Sequence, residues 1–176
     1  MAVLNPLTLA EDGKKEYEKG NFLAAADLFL QAAQSYTSAK DELNAAEMLN
    51  NQSVALLQAG KAKEALQATE GTEVVFQKAG DLKRQGIAVS NRAAALEGLK
   101  KWKEALAEYD RAAALFEQIG AGDMHSIVRK AAANINLKRG HLVDSQMDVY
   151  DSLRLVEKPT LTQRILKFLM RIGLVK

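Results

Sequence analysis

Two stretches decide the fold: KWKEALAEYDRAAALFEQI at residues 101–119 and NFLAAADLFLQAAQSYTSA at residues 21–39. In the first, Trp102, Ala105, Leu106, Tyr109, Ala112, Ala113 and Phe116 recur at steps of three and four, which puts them on one face of a helix. The second carries the same face in Phe22, Ala25, Ala26, Phe29, Ala32, Ala33 and Tyr36. The two lie 80 residues apart, and weaker copies stand in register 40 residues after each. One column then holds Ala25, Ala65, Ala105 and Ser145; a second holds Tyr36, Phe76, Phe116 and Val156; a third holds Phe22, Ala62, Trp102 and Leu142. Asn51 and Asn91 share a fourth. Columns that keep their chemical type at one spacing mark an internal repeat.

Punctuation between these faces predicts two helices per unit. Gly20-Asn21, Gly60-Lys61 and Gly140-His141 supply left-handed stops, and Lys100-Lys101 stands at the same place in the third unit. Asp41, Asp81 and Asp123 are expected to cap the helices that follow, as Asn5 does ahead of Pro6. Helices are predicted over 6–19, 21–38, 42–59, 61–79, 82–99, 101–119, 124–139, 141–157 and 160–174. The units span about 6–39, 46–79, 86–119 and 126–158, and residues 159–176 form a separate segment. Gly71 and Gly86 fall inside predicted helices, where each costs about 1 kcal/mol relative to alanine. Close packing or a kink would explain them, and the sequence leaves both open.

With these residues in hand, the chain resembles the tetratricopeptide-repeat family. Unit one carries its pattern as Gly13, Gly20, Phe22, Ala25, Phe29 and Ala32, and unit three as Ala93, Leu96, Trp102, Ala105, Tyr109 and Ala112. Unit two keeps Leu56, Gly60 and Ala65 but has Thr69 and Thr72 where an aromatic and an alanine are usual. Unit four has Ala133, Gly140 and Leu142, then Ser145, Val149 and Ser152. The resemblance covers residues 6–157. The spacing exceeds the family's common repeat of about 34 residues, and the closing proline is missing at the internal junctions. Both features are similar to the extended forty-residue class, which includes cytoplasmic adaptor and trafficking proteins. The resemblance implies an all-α, right-handed α-solenoid of four helix-turn-helix repeats with a C-terminal capping helix.

Charge and composition narrow the function. The chain carries 24 bases and 22 acids, yet residues 159–176 hold Arg164, Lys167, Arg171 and Lys176 and no acid. The body is therefore close to neutral, which excludes a broad duplex nucleic-acid face. No run approaches the length of a membrane span, no basic and apolar leader opens the sequence, and a cytoplasmic protein is expected. There is no cysteine, and His125 and His141 have no partner at metal-ligand spacing. Both histidines are expected to be solvated, as are Glu104 and Glu108. Gly80, Gly120 and Gly122 are read as helix ends rather than a phosphate loop. With no nucleophile–base pair and no set of ligands for a metal or cofactor, the chain is expected to be no enzyme.

Binding surfaces remain. The concave face of such an array is built from the first helix of each unit, with Lys14, Asn50, Asn51, Asn91, Lys130 and Asn134 as candidate contacts to a peptide or helix. Asparagine has no local reason to sit inside a helix, and its amide both donates to and accepts from a backbone. The Lys, Asn and Arg set by which some members of the resembled family hold a chaperone's C-terminal carboxylate is not kept. Only Asn51 matches over units one to three, and only Asn91 over units two to four. In the tail, Leu161, Ile165, Phe168, Ile172 and Val175 form a stripe expected to cap the array, with Leu169 at its edge. Leu166, Met170 and Leu174 form a second stripe, which with Arg164, Lys167 and Arg171 makes a candidate interaction helix. That helix could meet a protein, a second copy through residues 160–176, or an anionic membrane.

Overall fold

The computed structural model describes residues 5–171, all of whose regular structure is α-helical. The helices are α1 (Pro6–Glu18), α2 (Phe22–Ser38), α3 (Glu42–Gln58), α4 (Ala62–Ala68), α5 (Thr72–Lys78), α6 (Leu82–Gly98), α7 (Trp102–Gln118), α8 (Gly122–Lys138), α9 (Leu142–Arg154) and α10 (Leu161–Arg171). Packing follows chain order. Hairpins α1–α2, α6–α7 and α8–α9 are joined by the contacts α2–α3 and α7–α8, while α4 and α5 pack together against α3 and α6. The result is a stack of helical hairpins, the architecture of a helical-repeat solenoid.

One turn is used seven times. Gly20, Lys40, Gly60, Gly80, Lys100, Gly120 and Gly140 all have φ between +60° and +82°. After each, the next residue donates its N–H to a carbonyl in the last helical turn, at 2.8–3.0 Å; the acceptors include Tyr36, Phe76 and Phe116. The left-handed residue also donates its own N–H three residues back, as Gly20 does to Tyr17 at 3.0 Å and Gly120 to Glu117 at 3.1 Å, so the turn satisfies two carbonyls that a helix end leaves bare. The same aromatic column is buried in the stack, and so is the column of Ala25, Ala65, Ala105 and Ser145. Alanine at these positions lets neighbouring helices approach, and the aromatic rings fill the space between them.

Glycines inside helices have packing reasons. A Cβ on Gly86 would lie 2.7 Å from Phe116 Cε1, and one on Gly13 would lie 2.9 Å from Phe29 Cε1. Gly122 opens α8 rather than closing the helix before it, and a Cβ there would overlap the Leu155 carbonyl oxygen. The chain leaving α9 crosses α8 at this point, so glycine is the residue that fits.

The structure departs from the sequence-based expectation in several places. The helix predicted over 61–79 is broken at Gly71, whose φ is +77°. Asp41 and Asp81 cap α3 and α6, accepting from the N–H groups of Asn44 and Arg84, but Asp123 lies inside α8 and caps nothing. His125 is 0% exposed rather than solvated. Glu108 is likewise mostly covered, lying between Arg92 and Arg111. In the tail the expected capping residues Leu161, Ile165 and Phe168 are exposed, while Leu166 and Met170 of the second stripe are half-buried together with Leu169; Ile172, Leu174 and Val175 lie outside the described residues. The cap is also partial, because Val143, Met147 and Tyr150 on α9 stay exposed.

Candidate functional site

The first helices of successive hairpins, α1, α3, α6 and α8, carry the residues expected to line a groove. Between α1 and α3 the surface opens into a cavity of about 190 Å³, lined by Lys14, Tyr17, Glu18, Phe29, Asn51 and Val54. Its floor follows from the sequence. Gly13 leaves room for the Phe29 ring, which reaches across from α2. Tyr17 meets Phe22 edge-on with ring centroids 5.2 Å apart, an arrangement aromatic pairs favour. Apolar walls with a cation, a carboxylate and an amide at the rim suit a site for a protein segment.

The remaining candidates are dispersed. Asn91 is half-buried on α6, and Lys130 and Asn134 are exposed one turn apart on α8. Asn50 is 4% exposed, with its Oδ1 enclosed and unbonded, so it faces the packing rather than a groove. Glu97 of α6 accepts from Tyr109 Oη at 3.0 Å and pairs with Lys138 of α8 at 3.4 Å. That carboxylate bridges three helices, and burial together with its charge pushes the Tyr109 hydroxyl pKa up. Phe29 is buried in the stack and also lines this cavity, and Gly13 on the facing helix makes the room for its ring.

At the far end, His125 is enclosed between α8 and α9, with Asp151 Oδ2 3.5 Å from Nε2 and neither ring nitrogen hydrogen-bonded. Arg129 lies beside it, paired with Asp110 of α7 and with Asp148 and Asp151 of α9. Asn136 donates to Asp148 at 2.9 Å. Burial lowers the His125 pKa and raises that of Asp148. This cluster ties α9 to α8, and Asp110, Asn136 and Asp148 at its edge line a surface cavity of about 360 Å³ between α7, α8 and α9. Among the described residues no group of three or more His, Cys, Asp or Glu side chains could hold a metal, and no helix is long and apolar enough to cross a membrane. In the tail, Arg164 is exposed and Lys167 half-buried; the Arg171 side chain and Leu174 lie outside the described residues.

Stacked helical hairpins with a partly apolar surface cavity offer a surface on which a protein segment can lie. The family model for the soluble NSF attachment protein, SNAP, matches residues 16–172. The chain belongs to the SNAP family. SNAP-family proteins are α-helical repeat proteins broadly akin to tetratricopeptide folds, so the resemblance read from the sequence holds at the level of paired helical repeats. They are non-catalytic adaptors that act by binding other proteins, and this SNAP-family chain is one of them. No curated protein matches the chain.

Proposed function

We propose that this SNAP-family chain is a cytoplasmic adaptor. Its units near 6–39, 46–79, 86–119 and 126–158 form a right-handed, tetratricopeptide-like array, and the groove over α1, α3, α6 and α8 takes a helical or extended segment of a partner. The observation that carries this reading is the cavity in which Lys14 and Asn51 stand together over Phe29 and Tyr17. Asn91, Lys130 and Asn134 continue the surface toward the other end, where Lys138 and Glu97 join α8 to α6. The family's name makes NSF the first partner to test.

Binding of the purified chain to purified NSF, followed by interferometry, should give a saturable signal. Asn51→Ala combined with Asn91→Ala should weaken it roughly tenfold or more, as expected for two lost amide contacts of about 1 kcal/mol each. Circular dichroism should not change, because both positions are partly open to solvent. Undiminished binding by the double variant would place the contact elsewhere. No binding by the wild-type chain would remove NSF as the partner.

A further inference from the structure

Helix α10 is built as a unit of its own. Pro159 separates it from the preceding segment, and Thr160 and Gln163 form a reciprocal cap. The Thr160 N–H donates to Gln163 Oε1 at 2.7 Å, and the Gln163 N–H donates to Thr160 Oγ1 at 3.3 Å. The helix packs most closely on α9. Its inner side already has its apolar contacts, through the half-buried Leu166, Leu169 and Met170. Its outer side is apolar as well: Leu161 is 72% exposed, Ile165 49% and Phe168 59%. At i, i+4 and i+7 these three make a continuous ridge along the helix.

Charge decides what would cover that ridge. On the helical wheel Arg164 and Lys167 flank it on one side, and residues 159–176 contain four bases and no acid. A second copy docking ridge to ridge would bring Arg164 and Lys167 of both chains together with no carboxylate in the segment to offset them. An anionic bilayer meets both demands at once. Its acyl region receives Leu161, Ile165 and Phe168, and its headgroups neutralise the bases, whose long stems reach up from a shallowly buried helix. Eleven described residues span about 16 Å at 1.5 Å each, a length that lies along a membrane surface and does not cross it. From the exposed apolar ridge and its basic flank, we propose that α10 attaches this protein peripherally to anionic membranes. The proposal rests on α10 alone and is independent of the groove.

The full-length chain should co-sediment with vesicles of phosphatidylcholine containing roughly 30% phosphatidylserine, and at least tenfold less with phosphatidylcholine alone. Raising the salt to about 1 M should release it, because surface charge is then screened within about 3 Å. Ile165→Ser with Phe168→Ser should abolish sedimentation. Arg164→Gln with Lys167→Gln should weaken it on the order of thirtyfold, from about 1 kcal/mol per base near an anionic surface. Both variants should keep the wild-type circular dichroism spectrum. Three results would each overturn the proposal: no binding to anionic vesicles, equal binding to both vesicle types, or full binding by the serine variant. Light scattering that finds a dimer dissolved by the serine changes, without vesicle binding, would assign the ridge to a second copy.

Discussion

At His125 an imidazole is enclosed without a hydrogen bond to either ring nitrogen. Burial is the main cause of its lowered pKa. Arg129 and Arg154 push the same way, while Asp151 and Glu117 oppose them. A ring held below its ordinary value of about 6.5 takes up a proton less readily in the folded chain than in the unfolded one. Its contribution to stability is whole above that pH and is lost as pH falls toward the lowered folded value. Asp148, raised by burial, acts in the opposite sense and in the acid range of carboxylates. Thermal unfolding should therefore show a lower Tm at pH 5.5 than at pH 7.5, conditions chosen about one unit either side of the ordinary value. His125→Phe, which cannot titrate, should narrow that difference even if its own Tm is lower at both. An equal difference in the variant would show that the ring does not drive the pH response. This burial is not legible in the sequence, because helical spacing alone does not say which face of α8 meets α9.

The break between α4 and α5 shows how an element can be written into a sequence and still be misread. Thr69 and Thr72 stand where the repeat pattern has an aromatic and an alanine, and Gly71 lies between them. In the structure the Thr69 hydroxyl donates to the Leu66 carbonyl at 2.7 Å and the Thr72 hydroxyl to the Thr69 carbonyl at 2.9 Å. Ser53 on α3 donates to the Ala65 carbonyl at 2.9 Å. Side chains thus replace helical partners around the break, and Gly71 supplies the left-handed residue. Gly71→Ala should cost about 1–2 kcal/mol, the strain of an L-residue at that φ, which lowers Tm by roughly 2–8 °C for a chain of this size. A raised Tm would mean that the hydroxyls, not the glycine, impose the break. The paired helices, the turns and most caps were legible because they depend on residues near in sequence, such as Gly60 after Leu57 or Asp81 before Arg84. The orientation of α10 was not. Its two apolar stripes are equally good partners on a wheel, and only the surface of α9 selects between them. For the groove, the residue types at Lys14 and Asn51 could be read, whereas the burial of Asn50 depends on how α3 is rotated against its neighbours.

Across the whole molecule, the buried apolar residues fall into two large clusters with a thin joint. One gathers Leu9, Phe29, Tyr36 and Met48 from α1, α2 and α3; the other gathers Val89, Tyr109, Phe116 and Ile135 from α6, α7 and α8. Between them a small cluster of Ala46, Phe76 and Ala88 is packed by Val75. Phe76 is its only large fully buried side chain. Salt links also cross this region, from Arg84 to Glu47 and from Arg111 to Glu73, but such exposed pairs are worth about 0–1 kcal/mol each. In a stack where each hairpin touches only its neighbours, cooperativity passes through the interfaces. Phe76→Ala should therefore do more than remove about 3–5 kcal/mol of packing. It should uncouple the two halves, turning one denaturant transition into two, with α1–α3 and α6–α8 losing amide protection at different concentrations. Hydrogen exchange read by mass spectrometry across a urea series would separate the segments. A single transition, shifted but still common to all peptides, would mean that the α3–α6 contact carries the coupling without Phe76. The same array would then owe its unity to the close approach of Ala46 and Ala88, two small residues whose enlargement, not removal, would divide it.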